Sequence, residues 1–103
     1  MLSHWNAGLR GGKWTFFEGG IRPAAFIASP LLPPDVRGSW YNGTMHLVDW
    51  APTFLELAGL PQPLNLDGVS QWAALTRTVT VSPRNHTLIA KGVLIAGRWK
   101  LAT

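Results

Sequence analysis

Apolar and polar positions keep no single period along this chain, and the changes of period mark its elements. Between Asn6 and Arg22 five glycines and two aromatic clusters are interleaved with Arg10, Lys13 and Glu18. Glycine at this density reads as a loop whose backbone passes close to a ligand. Residues 24–28 (AAFIA) form a continuous apolar run between Pro23 and Pro30. That run predicts a strand buried on both faces, as in a parallel sheet covered by helices, although no second run of this kind lies nearby. Residues 33–43 read as a surface loop and 45–48 as a short strand or lead-in. Asp49 is the expected N-cap of a helix, with Pro52 in its first turn, where the missing N–H costs little. Trp50, Phe54 and Ala58 then recur at helical spacing, flanked by Leu47, Leu55 and Leu57, and Gly59 and Pro61 end the helix. Asp67-Gly68 opens a shorter helical stretch through Val69, Trp72, Ala73 and Leu75. Toward the end the pattern changes again: 87–91, 93–96 and 98–102 read as strands, the last two joined around Gly97 as a hairpin.

Composition sharpens this picture. Of 103 residues 47% are hydrophobic and only 14% charged, against about 25% charged in an ordinary soluble domain. Six Trp and four Phe push the same way. A chain this apolar is expected to pack against neighbours, with its tryptophans in the core ahead of any role as sugar-stacking platforms. The absence of Cys excludes disulfides, thiolate zinc sites and cysteine nucleophiles within these residues. Nine Lys and Arg against five Asp and Glu give a net charge of +4. The cations are scattered with no run of three, a poor match to a nucleic-acid stripe. Their one local concentration, Arg10, Lys13 and Arg22 among glycines, suits an anion. The first residues have neither n-region nor apolar h-region, so no signal peptide is expected within this chain. The most apolar stretch, 23–34, carries four prolines and is too short to span a membrane.

Several chemical motifs fail on spacing. Gly12-Lys13 invites a P-loop reading, but the first glycine of that pattern would fall on Ala7 and Trp14 stands where Ser or Thr should be. His4, His46 and His86 are about forty residues apart, without metal-ligand spacing. No GxSxG elbow supports a Ser-His-Asp triad. Asn42-Gly43-Thr44 and Asn85-His86-Thr87 fit the N-glycosylation sequon, which makes Asn42 and Asn85 candidate sites in a secretory compartment. Glu18 and Arg22, four apart, are expected to pin the glycine-rich loop to itself.

Read as a run, Leu9-Arg10-Gly11-Gly12-Lys13-Trp14-Thr15-Phe16-Phe17-Glu18-Gly19-Gly20-Ile21-Arg22 resembles the lysine-bearing segment of sulfatases, GxK followed by EGG[IV]R. Phe26-Ile27-Ala28-Ser29-Pro30-Leu31-Leu32 and His46-Leu47-Val48-Asp49-Trp50-Ala51-Pro52-Thr53 look like the arylsulfatase B subgroup. Leu66 to Trp72, Ser82-Pro83-Arg84 and Gly97-Arg98-Trp99-Lys100-Leu101 follow in the same order.

This resemblance implies an α/β fold, a piece of an alkaline-phosphatase-like sandwich. Residues 1–85 would come from the latter part of the catalytic domain and 86–103 from the start of a C-terminal antiparallel subdomain. It implies sulfate-ester hydrolysis by a formylglycine made from Cys or Ser in a C/S-x-P-x-R motif, with calcium alongside. Lys13 would contact the sulfate and the leaving-group oxygen. The partners implied are the remainder of the sulfatase domain and a sulfate ester, a sulfated glycan among the candidates, with no nucleic acid and no membrane. The compartment implied is lysosomal or secreted. The formylglycine motif is absent here, because Val81 would be the nucleophile ahead of Ser82-Pro83-Arg84. The Asp-rich metal segment is missing too. The chain is therefore expected to be inactive alone. Two alternatives stand beside this reading: a catalytically dead homologue binding sulfated glycans through Arg10, Lys13 and Arg22, and an unrelated basic, Trp-rich binding module.

Overall fold

In a computed structural model the described residues are 8–103. His4 and Trp5 lie outside them. The glycine-rich segment leads into one helical turn, α1 (Glu18–Ile21). A long irregular stretch follows, and a 3₁₀ turn, Leu47–Asp49, runs directly into α2 (Trp50–Leu57). After a second irregular stretch comes α3 (Trp72–Leu75), and then β1 (His86–Ala90), β2 (Val93–Ala96) and β3 (Trp99–Ala102). The strands form an antiparallel meander in sequence order. Thr87 pairs with Ile95 and Ile95 with Lys100, and a bulge interrupts the ladder between Leu88 and Ala90.

The three terminal strands match the expected 87–91, 93–96 and 98–102 to within a residue at each end. Gly97 and Arg98 link β2 to β3, as the expected hairpin requires. The end of α2 also matches, with Ala58 as C-cap and Gly59 at φ +64°. The expected strand at 24–28 is absent: this stretch has no regular structure and Phe26 is 90% exposed. A parallel strand is held by ladders on its flanks, and the sheet of the described residues consists of β1 to β3 alone. Residues 45–48 form no strand, and the helix expected from Asp67-Gly68 begins only at Trp72.

The centre of the molecule is polar. Gln71, Thr53, Asp49 and Pro52 are its largest fully buried side chains, and the buried hydrophobic residues are Leu32, Val36, Ala74 and Val93. α2 consequently turns its Asp49, Pro52 and Thr53 edge inward. The stripe expected to be buried lies outward: Phe54 and Ala58 are exposed, and Trp50 stacks on Phe54 at 5.5 Å. The tryptophans depart from the core assignment as well, since Trp14, Trp40 and Trp99 are exposed. The chain presents 8416 Å² of accessible surface, where a folded monomer of its mass has about 5,700 Å². Large apolar side chains are thus exposed, Trp14, Phe26, Trp40 and Leu64 among them.

Candidate functional site

Lys13 sits at the tip of the glycine-rich loop. Thr15 closes the turn around it: its N–H donates to the Gly12 carbonyl at 3.0 Å, its hydroxyl donates to the same oxygen at 2.7 Å, and Gly12 N–H donates back to Thr15 Oγ1 at 3.1 Å. Gly19 N–H reaches the Arg10 carbonyl at 2.8 Å and folds the loop back on its start. Two features explain the residues chosen. Gly11 has φ +79°, and a Cβ there would lie 2.5 Å from Thr15 Oγ1, so only glycine fits without rearrangement. Trp14 is held at φ +74°, a conformation rare for a bulky residue and kept only where the surroundings enforce it.

The Lys13 ammonium is exposed and stands 5.4 Å from the centre of the Trp14 ring, within cation–π range. Trp14 and Phe16 do not pack behind the loop to hold this ammonium. Instead Trp14 is 92% exposed and Phe16 about half exposed. Arg10 lies over the Phe17 ring at 4.1 Å. Arg10, Lys13 and Arg22 are all exposed, and among the described residues no hydrogen bond or ion pair gathers their side chains onto one point. The Glu18–Arg22 link also gives way: Arg22 N–H caps α1 through the Glu18 carbonyl, while the Glu18 carboxylate pairs with Lys100 at 2.5 Å.

A second constellation organises the rest of the chain. Asp49 is fully buried and has no N-cap bond to α2. Its Oδ2 accepts from His46 N–H at 2.8 Å, Gln71 Nε2 at 3.2 Å and Arg84 Nε at 2.7 Å. Its Oδ1 accepts from Val69 N–H at 2.9 Å and from the second guanidinium nitrogen of Arg84 at 2.5 Å. One carboxylate thus joins the start of α2, the 69–71 segment and the lead-in to β1. His46, rather than Asp49, is the capping residue, and its ring nitrogen accepts from Val48 N–H.

Around this pair, Thr53 Oγ1 accepts from Gln71 N–H, and Gln71 Oε1 accepts from the Tyr41 and Ser82 hydroxyls. Gly68 crosses so close to the Val48 carbonyl that a Cβ would lie 2.1 Å from its oxygen. Burial alone pushes the Asp49 carboxyl up. The hydrogen bonds from Arg84, His46 and Val69 and the positive charge of Arg84 outweigh it and hold the carboxyl below the usual value of 3.8. In return, the hydrogen bond to Asp49 raises Arg84 above its ordinary value despite partial burial.

A charge committed in this way is scaffold rather than catalyst. Sequence reasoning assigned Asp49 to a cap and missed the pairing. The available signal was a lone carboxylate in an apolar helix start, within a chain having few charges to satisfy it.

No three His, Asp or Glu side chains converge to hold a metal ion among the described residues. Asp49 is bound to Arg84, Glu18 to Lys100 and Glu56 to Ser70. The residues present therefore do not form the calcium site implied by the resemblance. His46 and His86 line a cavity of about 330 Å³ together with Asp67 and Arg84, the guanidinium of which is already engaged by Asp49. Asn42 and Asn85 are both exposed, but Thr87, the third residue of the second sequon, is buried in β1 with its hydroxyl unpartnered. No described helix is long and apolar enough to cross a membrane.

Among the curated proteins similar to this chain are two sulfatases. Arylsulfatase J of Mus musculus is 38% identical over 78 residues, which cover 74% of this chain and 12% of that protein. A Caenorhabditis elegans protein named as an extracellular sulfatase Sulf-1 homolog is 38% identical over 63 residues, covering 61% of this chain and 8% of its own length. The chain thus spans about a tenth of the curated relatives it matches. No protein-family profile matches the chain, and no solved structure does. Both relatives support the sulfatase family, and they leave the arylsulfatase B subgroup unassigned.

Proposed function

We propose that the chain is part of a sulfatase catalytic domain and supplies the loop whose lysine, Lys13, contacts the sulfate and the leaving-group oxygen of a sulfate ester. The observation that carries this reading is the ordered run of sulfatase-like segments from Leu9 to Leu101, together with the similarity to an arylsulfatase over 74% of the chain. The loop suits the role chemically. An exposed ammonium on a turn closed by Gly12 and Thr15 is free to meet an anion. A positive charge fixed near an ester oxygen stabilises the charge that grows there as the S–O bond breaks. The formylglycine, its metal and the other sulfate contacts would come from the remainder of the domain, which the open apolar faces are suited to meet. The arylsulfatase B-like assignment rests on residues 26–32 and 46–53, the division at residue 85 on the switch to antiparallel strands, and a secretory or lysosomal setting on the family. The similarity to two sulfatases favours this reading over a binding module unrelated to the family.

The test is Lys13→Ala in a full-length protein that contains this chain. Loss of one oxyanion-type donor should lower kcat about 10²–10³-fold, with KM changed less. A variant that keeps more than half of the wild-type kcat with its fold intact refutes the assignment. The 103-residue chain alone should leave an aryl sulfate unhydrolysed, with or without calcium.

A further inference from the structure

We infer that Lys100 is the positioning residue of the Lys13 loop, tying it to the C-terminal sheet. Hydrogen bonds from Thr15 to Gly12, Gly19 to Arg10 and Gly20 to Phe17 run within this loop. They fix its curvature but not its place on the molecule. Lys100 supplies the place. From the middle of β3, opposite Ile95, its ammonium donates to the Phe16 carbonyl at 3.0 Å and to Glu18 Oε1 at 2.5 Å.

Both acceptors lie just after Lys13, one in the turn and one heading α1, and both are more than eighty residues away in sequence. One ammonium with two acceptors fixes direction as well as distance, which a lone ion pair does not. Lys100 is 27% exposed and Glu18 43% at their side chains, so the effect is moderate and sensitive to salt. A change in the sheet thereby reaches the loop. The purpose of this tie rests on the reading of Lys13 as the sulfate contact, whereas its existence does not.

Hydrogen exchange of the 103-residue chain tests the tie without any sulfatase chemistry. Lys100→Met and Glu18→Gln should each speed exchange at the Gly19 and Gly20 amides about three- to ten-fold, the effect of losing a partly exposed charged contact. Amides of β2 should be unchanged, and Lys100→Arg should stay within about two-fold of wild type. If Lys100→Met also unprotects β2, Glu18→Gln decides, because it leaves the sheet intact. Rates within two-fold of wild type in Glu18→Gln overturn the inference, as do wild-type loop amides that exchange as in a free peptide. In a full-length protein active on an aryl sulfate, Lys100→Met should lower kcat while KM stays within about two-fold, and Lys100→Arg should restore kcat. A full-length protein with no such activity removes the functional reading and leaves the exchange result to judge the tie.

Discussion

Replacing Arg84 with Met is the most informative perturbation of this fold. The substitution keeps much of the aliphatic stem and deletes the guanidinium that donates to both oxygens of the fully buried Asp49. Breaking a buried pair from one side costs about 3–5 kcal/mol, because the remaining charge is left uncompensated. Asp49 would keep His46 N–H, Val69 N–H and Gln71 Nε2 as donors. Those three place the cost near the lower limit, about 3 kcal/mol. The readout is hydrogen exchange at the Val69 and Gln71 amides, which are bonded to Asp49 Oδ1 and Thr53 Oγ1. A loss of 3 kcal/mol corresponds to exchange about 150-fold faster. Arg84→Lys should fall between wild type and Arg84→Met, since an ammonium cannot bridge both oxygens in the same geometry. Arg98→Met, on the exposed β2–β3 turn, should change these rates by less than about three-fold. Acceleration below about five-fold in Arg84→Met would refute the view that this pair organises the molecule.

Three further outcomes follow from the same structure. Because the folded-state pKa of Asp49 is depressed, its contribution to stability is complete above the ordinary carboxyl value of 3.8 and is lost as pH falls through the lower folded value; an acid titration followed by exchange at Val69 should show loosening only below about pH 4, and loosening confined to higher pH would contradict it. Gly68→Ala would place a methyl 2.1 Å from the Val48 oxygen and 3.0 Å from Pro52 Cγ, so it should destabilise the start of α2 by about 1–3 kcal/mol, read as faster exchange at Val69 and Gln71. The isolated chain should bind a dye specific for exposed apolar surface, given the exposure of Trp14, Phe26 and Trp40, and a sharp cooperative melt of a monomer without dye binding would count against an open apolar surface.

What the sequence determined by itself was local. The antiparallel strands followed from the change of pattern late in the chain and the turn at Gly97, the end of α2 from Gly59 and Pro61, and the loop around Lys13 from its glycines, because each is set by neighbours a few residues apart. The order of sulfatase-like segments was likewise legible, since it needs no contact to be read. Tertiary structure decided which face of each element turned inward. Trp50, Phe54 and Ala58 make a regular stripe, yet the inner edge of α2 belongs to Asp49, Pro52 and Thr53. The reason is the partner of Asp49: a buried carboxylate needs a cation, and Arg84 lies 35 residues away, at a separation no local pattern reports. The same holds for Glu18, whose nearby candidate Arg22 lost to Lys100, 82 residues on. The 24–28 run has a strand's composition but lacks the neighbouring strands that would complete its hydrogen bonds. Periodicity registers that a segment can be buried; what it is buried against is fixed only when distant parts of the chain, or of a larger domain, meet.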